Sequence, residues 1–170
     1  ALDDSTTVIA NLRSKKEVES KNFSSYPLLQ LQCSGGNSEF YGTYKVAIDT
    51  GLVLTPYYEG DLGDVAVNIR LDKNKPQRLI VKEGTNSETV FISNPETLLG
   101  FMANSKTMLF EFTPFNSNSD YAEFEINGIE EVLKEMQKNC YHRVVEAGLL
   151  AKKNNISNKK WVDATAEFNW

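Results

Sequence analysis

The sequence predicts a mostly β protein: an antiparallel β-sandwich with one or two helices, the main one near the carboxy terminus. Short segments of alternating apolar and polar residues recur along the chain, and turn residues separate them every eight to twelve residues or so. Helical periodicity is concentrated late in the sequence. With 170 residues, the chain is long enough to form one domain with a substantial core.

The composition argues against nucleic acid as a partner and against a membrane-spanning helix. Hydrophobic residues make up 41% of the chain and charged residues 24%, which is ordinary for a globular domain. The formal charge of −5 argues against nucleic acid as a partner, because phosphate binding needs clustered lysine and arginine. No apolar run approaches the roughly 20 residues of a membrane-spanning helix. A chain that starts at Ala1 without a signal peptide is typical of a mature or trimmed product, or of a cloning remnant.

The first half of the chain predicts strands joined as hairpins. Residues 1–27 form an amino-terminal arm or an edge strand. Leu29 and Leu31 alternate with glutamines up to Cys33, which indicates a half-buried strand, and residues 39–49 form its hairpin partner. A second hairpin, residues 65–70 with 78–82, and a short strand at 89–92 follow. Asn94-Pro95 then begins a helical turn.

The stretch from Lys106 to Cys140 carries the clearest pattern. Residues 107–113 and 121–126 alternate as two strands, and a polar turn separates them. Asn127 is the predicted N-cap of the following helix, with Glu130 completing a capping box. Apolar residues then recur at helical spacing: Ile129, Val132, Leu133, Met136 and Cys140.

Residues 141–170 form a carboxy-terminal extension. Residues 141–153 extend the helix, with Gly148 as a weak position because glycine is a poor helix former. Trp161, Phe168 and Trp170 follow, and a flexible tail rarely keeps so many aromatic side chains. We therefore expect this extension to pack on the domain or on a partner.

The two cysteines, Cys33 and Cys140, allow two interpretations from spacing alone. They are buried free thiols, or they form a disulfide in an oxidising compartment. A zinc site is not expected, because the chain has no closely spaced cysteine pair and a single histidine.

Catalytic chemistry has little support in the sequence. His142 is the one imidazole, and a side chain two positions from Cys140 on a helix points away from it. The carboxylate pairs Asp61/Asp64 and Glu123/Glu125 are read as a solvated turn and the outer face of a strand. We expect no enzyme activity, no cofactor and no metal.

Several short motifs follow one another along the chain. They are Cys33 at a strand end, Arg70 and Asp72 before a hairpin, Thr113-Pro114-Phe115 after a strand, and the closing set Phe124, Glu125, Ile126, Gly128, Ile129, Glu130, Val132 and Cys140. Together these motifs resemble the type VI secretion-associated TagO/VasI family of bacterial envelope proteins. The resemblance covers roughly residues 28–140 and excludes the middle section 51–64 and the carboxy-terminal extension.

The resemblance implies an exported protein, periplasmic or outer-envelope associated, with a Cys33–Cys140 disulfide in a β-sandwich domain over residues 28–140. It carries no catalytic motif to transfer. We therefore expect a non-enzymatic accessory protein that binds another envelope protein. The alternative is a phage- or prophage-encoded envelope protein that inhibits a host process, acting in superinfection exclusion or by inhibition of an envelope enzyme. Exposed aromatic residues are the expected anchors, and the predicted partner-binding residues are Tyr57, Tyr58, Trp161, Phe168 and Trp170, with Glu111, Glu123 and Glu125 as an acidic strand face.

Overall fold

The computed structural model describes residues 7–35 and 42–154. Within them lie ten strands and three helices. The strands are β1 Thr7–Arg13, β2 Val18–Glu19, β3 Ser24–Ser25, β4 Leu28–Ser34, β5 Thr43–Asp49, β6 Asp64–Leu71, β7 Gln77–Glu83, β8 Thr89–Phe91, β9 Thr107–Phe112 and β10 Asp120–Glu125; the helices are α1 Pro95–Met102, α2 Ile129–Asn139 and α3 Arg143–Lys153.

Eight of the strands form one antiparallel sheet in the order β1-β4-β5-β8-β7-β6-β9-β10. The sheet nearly closes into a barrel-like sandwich, and β2 and β3 pair as a separate two-stranded ribbon. This confirms the predicted mostly β, antiparallel architecture and the predicted hairpins β4–β5, β6–β7 and β9–β10. The expectation of one or two helices is corrected to three in the described residues.

The core follows from the period-2 pattern of the strands. In β9 and β10 the buried side chains are those that the alternation predicted, and Phe110, Phe112 and Phe124 are the largest of them. Burial alternates in the same way along β4, where Cys33 is fully buried. Since successive side chains of a strand point to opposite faces, one face of each strand fills the interior.

The ribbon bridges the two edges of the sheet at one end. The amide of Lys15, just after β1, donates to the carbonyl of Glu123 in β10 at 2.8 Å. Lys16 forms an ion pair with Asp120, and Val18 of the ribbon is fully buried. The segment after β1 thus joins the first strand of the sheet to the last.

Helix α2 does not start as predicted. Its N-cap is Gly128, with φ of 86°, and no side chain caps the first turn. The predicted Asn127–Glu130 capping box is therefore wrong. The amide of Ile129 bonds instead to the carbonyl of Ile126, so the chain leaves β10 through a tight turn whose left-handed residue is the glycine.

Residues beyond Cys140 form a separate helix instead of extending α2. Cys140 takes an extended backbone that ends α2, and α3 begins again after His142. Gly148 is buried against α1, where a Cβ atom would lie 2.7 Å from the carbonyl carbon of Gly100. The glycine predicted as a weak helix position is the residue that allows α3 to approach α1.

Candidate functional site

The strand register divides the molecule into two ends. At one end lie Arg13, Leu28, Asp49 and Thr89, which are partners along β1, β4, β5 and β8. The connections at that end contain residues 14–27, 50–63, 84–88 and 113–119, which we call the loop end. The opposite end leads into α1 and α2 and carries the cysteine pair. Binding residues often occupy loops that a rigid scaffold positions.

Backbone hydrogen bonds join these loops to one another. The amide of Leu54 donates to the carbonyl of Ser87 at 3.0 Å, and the amide of Phe115 donates to the carbonyl of Val53 at 2.8 Å. The amide of Glu19 in the ribbon reaches the carboxylate of Asp120 at 3.2 Å. Three of the four segments therefore brace each other, and the fourth, residues 14–27, is held to β10.

Exposed apolar side chains concentrate on this surface. Six of the ten large hydrophobic residues that are exposed in the described part of the chain lie in these loops. Leu62 is fully exposed and Tyr58 is 79% exposed. Single exposed hydrophobic residues are normal, whereas several at one end of a molecule make that end a candidate interaction surface. The six are Phe23, Tyr26, Val53, Tyr58, Leu62 and Phe115.

The predicted Tyr57–Tyr58 pair divides into two environments. The Tyr57 amide bonds the carbonyl of Asp64 at 2.7 Å, and its hydroxyl donates to the Glu59 carboxylate at 3.0 Å. That hydrogen bond raises the pKa of Tyr57 above its ordinary value. Tyr57 thus supports the loop, while Tyr58 faces solvent, and the prediction that either binds a partner remains a prediction.

The loop that carries Tyr58 and Leu62 is acidic. Glu59 and Asp61 are exposed, whereas Asp64 forms an ion pair with Lys82 and accepts the Asp61 amide at 2.8 Å. The hydrogen bond from Lys82 is the main reason that the pKa of Asp64 lies below its ordinary value. The exposed apolar side chains of this loop therefore lie in a segment that carries exposed acidic residues.

At the helical end, Cys33 and Cys140 form a disulfide. Their Cα atoms lie 6.1 Å apart, within the usual range, and both residues are fully buried. The buried Tyr44 hydroxyl donates to the carbonyl of Cys140, and burial raises the pKa of Tyr44. Gly42 lies so close that a Cβ atom there would be 2.8 Å from the Cα of Cys140.

His142 caps the helix that follows the disulfide. Its Nδ1 accepts the amide of Val144 at 3.3 Å, and its ring packs edge-on against Tyr44 with 5.8 Å between centroids. The side chain of Gln137 bonds both backbone groups of His142, at 2.8 and 2.9 Å. Burial lowers the pKa of His142 from its ordinary value, which favours the neutral ring that accepts the cap bond.

In each of the two carboxylate pairs weighed for acid–base chemistry, one member forms an ion pair. Asp64 pairs with Lys82, and Glu125 pairs with Lys15 at 2.9 Å, which lowers the pKa of Glu125. A general acid near neutral pH needs a raised carboxyl pKa, the opposite direction. Among residues 7–35 and 42–154, no group of three or more His, Cys, Asp or Glu side chains is placed to hold a metal ion.

The other predicted binding residues lie in different places. Trp161, Phe168 and Trp170 fall outside the described residues. Glu111 accepts a hydrogen bond from the Asn68 side chain at 3.1 Å on the outer face of the sheet. Among the predicted binding residues that the structure describes, Tyr57 and Tyr58 lie at the loop end and Glu111 lies on the outer face of the sheet.

The motif residues behind the family resemblance stabilise turns. The Asp72 carboxylate accepts the amides of Lys106 and Thr107 at 2.8 and 2.9 Å, with Asp72 itself in a left-handed conformation. Pro114 bridges to Leu54, and Gly128 starts α2. These residues therefore have structural roles in the turns of the fold.

Sequence reasoning missed most of the loop-end residues. Phe23, Leu62 and Phe115 are lone apolar residues within polar, turn-forming segments. Their isolation in polar segments was the available sequence signal for a binding role, because a large apolar residue does not make a polar loop more soluble. The shared location of these residues became visible only from the strand register.

Comparison with known proteins adds no relative. No protein family, no curated protein and no solved structure matches this chain. None of the helices in the described part of the chain is long and apolar enough to cross a membrane.

Proposed function

We propose that this protein is an exported accessory protein of the bacterial cell envelope that acts without catalysis, by binding another protein through its loop end. One observation carries the proposal: six exposed large hydrophobic residues occupy the loop end, and four of them, Val53, Tyr58, Leu62 and Phe115, lie in loops that backbone hydrogen bonds join to one another. A braced loop loses little conformational entropy on binding, so the apolar area of Tyr58 and Leu62 is available for affinity.

Two further features support an envelope location. Disulfides form and persist in oxidising compartments such as the bacterial periplasm, and the Cys33–Cys140 pair is bonded and buried. The motif resemblance to the TagO/VasI family points to the same compartment. Alkylation of protein taken directly from its native compartment tests this part: we expect no free thiol before reduction and two afterwards within one chain.

Affinity capture tests the binding part. The oxidised protein is immobilised, incubated with envelope extract of its own host, and compared with Tyr58→Ser/Leu62→Ser. Ile80→Ser is the matched control, because Ile80 is 40% exposed on β7, away from the loops. We expect the wild type and the control to retain the same partner protein in similar amounts. The double variant should retain at least tenfold less of it, because interface hot spots contribute about 2 kcal/mol. Equal capture by all three proteins would contradict the proposal.

A further inference from the structure

The helical end contains a second surface, a groove between α2 and α3 with a volume of about 720 Å³. Glu130, Lys134 and Gln137 line it from α2, and Glu146, Leu150 and Lys153 line it from α3. Both sets are spaced by three and four residues, so each is one face of its helix. We call this surface the α2–α3 groove.

Leu149 and Leu150 give the groove an apolar part of its lining. The Leu150 side chain is 50% exposed, although it lies on a helix whose opposite face is buried against α1. Exposed apolar area in a concave surface gains free energy when another apolar group covers it, by about 25 cal/mol per Å². The groove therefore favours an occupant with large apolar side chains.

Residues 155–170, which lie outside the described residues, follow α3 directly and have that composition. They contain both tryptophans of the protein, Trp161 and Trp170, together with Phe168. From Asn154 to Trp161 the chain is long enough to span at most about 25 Å. Helix α3 has 11 residues and is about 16 Å long, so Trp161 is able to reach any point along the groove.

Charge adds a smaller preference for this occupant. The groove is lined by three lysines, Lys134, Lys152 and Lys153, and by two glutamates, Glu130 and Glu146. In the segment, Lys159 and Lys160 come before Trp161, whereas residues 161–170 contain Asp163 and Glu167 and no basic residue. The aromatic part of the segment is therefore acidic and complementary in charge to the lysines of the groove.

We propose that residues 155–170 bind in the α2–α3 groove of their own chain, with aromatic side chains covering Leu150 and the carboxylates near the lysines. The proposal is independent of the loop end. It assigns Trp161, Phe168 and Trp170 to an intramolecular contact and leaves the loop end as the partner-binding surface.

Tryptophan fluorescence tests this assignment without labels, because both tryptophans belong to the segment and their emission reports on it alone. Acrylamide quenching of the full chain is compared with quenching of a synthetic peptide of residues 155–170. We expect a quenching constant at least twofold smaller in the full chain. Equal constants would overturn the proposal.

Two variants locate the contact. Leu150→Glu places a charge in the groove and is expected to raise the quenching constant towards the peptide value. Leu62→Glu is the matched control, because Leu62 is fully exposed at the loop end, and its quenching should equal that of the wild type. Lys152→Glu/Lys153→Glu probes the charge contact without touching an apolar residue, and should raise quenching in the same direction. Protected tryptophans that respond to neither groove variant would place the segment elsewhere and refute the proposal.

Discussion

Reduction of the disulfide is expected to remove a large part of the stability of the fold. Cys33 and Cys140 are 107 positions apart, so the bond closes most of the described chain into one loop. The chain-entropy relation for a loop of that size gives about 4.8 kcal/mol at 25 °C. Domains of this kind have a total unfolding free energy of only about 5–15 kcal/mol. The reduced protein should therefore be marginally stable.

Urea unfolding followed by far-ultraviolet circular dichroism, with and without reductant, measures this difference on one sequence. With a slope of about 2–3 kcal/mol per molar urea, the midpoint should fall by about 2 M on reduction. The variant Cys33→Ala/Cys140→Ala is the control, since its midpoint must not respond to reductant. If reduction lowered the unfolding free energy by less than about 1 kcal/mol, that result would refute the reasoning that this bond restrains the unfolded chain.

Three further substitutions test the helical end. Gly148→Ala should destabilise the protein by about 1–3 kcal/mol, because the new methyl group clashes with Gly100 and this overpacking outweighs a gain of about 1 kcal/mol in helix propensity; a higher melting temperature would show that the contact tolerates the methyl group. Tyr44→Phe should cost about 1–3 kcal/mol in urea unfolding by leaving the buried carbonyl of Cys140 without its donor, and an unchanged midpoint would show that this bond contributes nothing. The folded-state pKa of His142 is lowered, so its contribution to stability is complete above its ordinary pKa of 6.5 and is lost as pH falls from there towards the folded pKa. His142→Ser keeps a capping side chain but does not titrate, so its melting temperature should change less between pH 7 and 5 than that of the wild type; equal pH profiles would assign the titration to another group.

The strands could be predicted because their signal is local. Alternation in the segments around Leu31, Phe110 and Phe124 identifies one buried face for each strand, and a period of two leaves no other register that buries them. The hairpins followed from the turns between adjacent strands. The order of strands across the whole sheet depends on long-range pairing, such as β1 with β4 and β5 with β8, which no local pattern encodes.

The predicted helix boundaries were wrong where tertiary contacts override local sequence preference. Asn127 is a good N-cap by residue type, but the turn out of β10 needs a left-handed residue and takes Gly128. Gly148 lowers the helix propensity of α3, and the close approach of α1 explains why a glycine stands at this position. The loop end could not be predicted from the sequence for a similar reason, because four separate segments of the chain meet there.

The most direct test of the account is site-specific photo-crosslinking in intact host cells. A photoreactive phenylalanine analogue replaces Leu62 at the loop end, and in a second strain it replaces Ile80 on β7. We expect a discrete adduct with one envelope protein from position 62, and none from position 80. Absence of an adduct at position 62, or the same adducts from both positions, would contradict the claim that the loop end binds a partner.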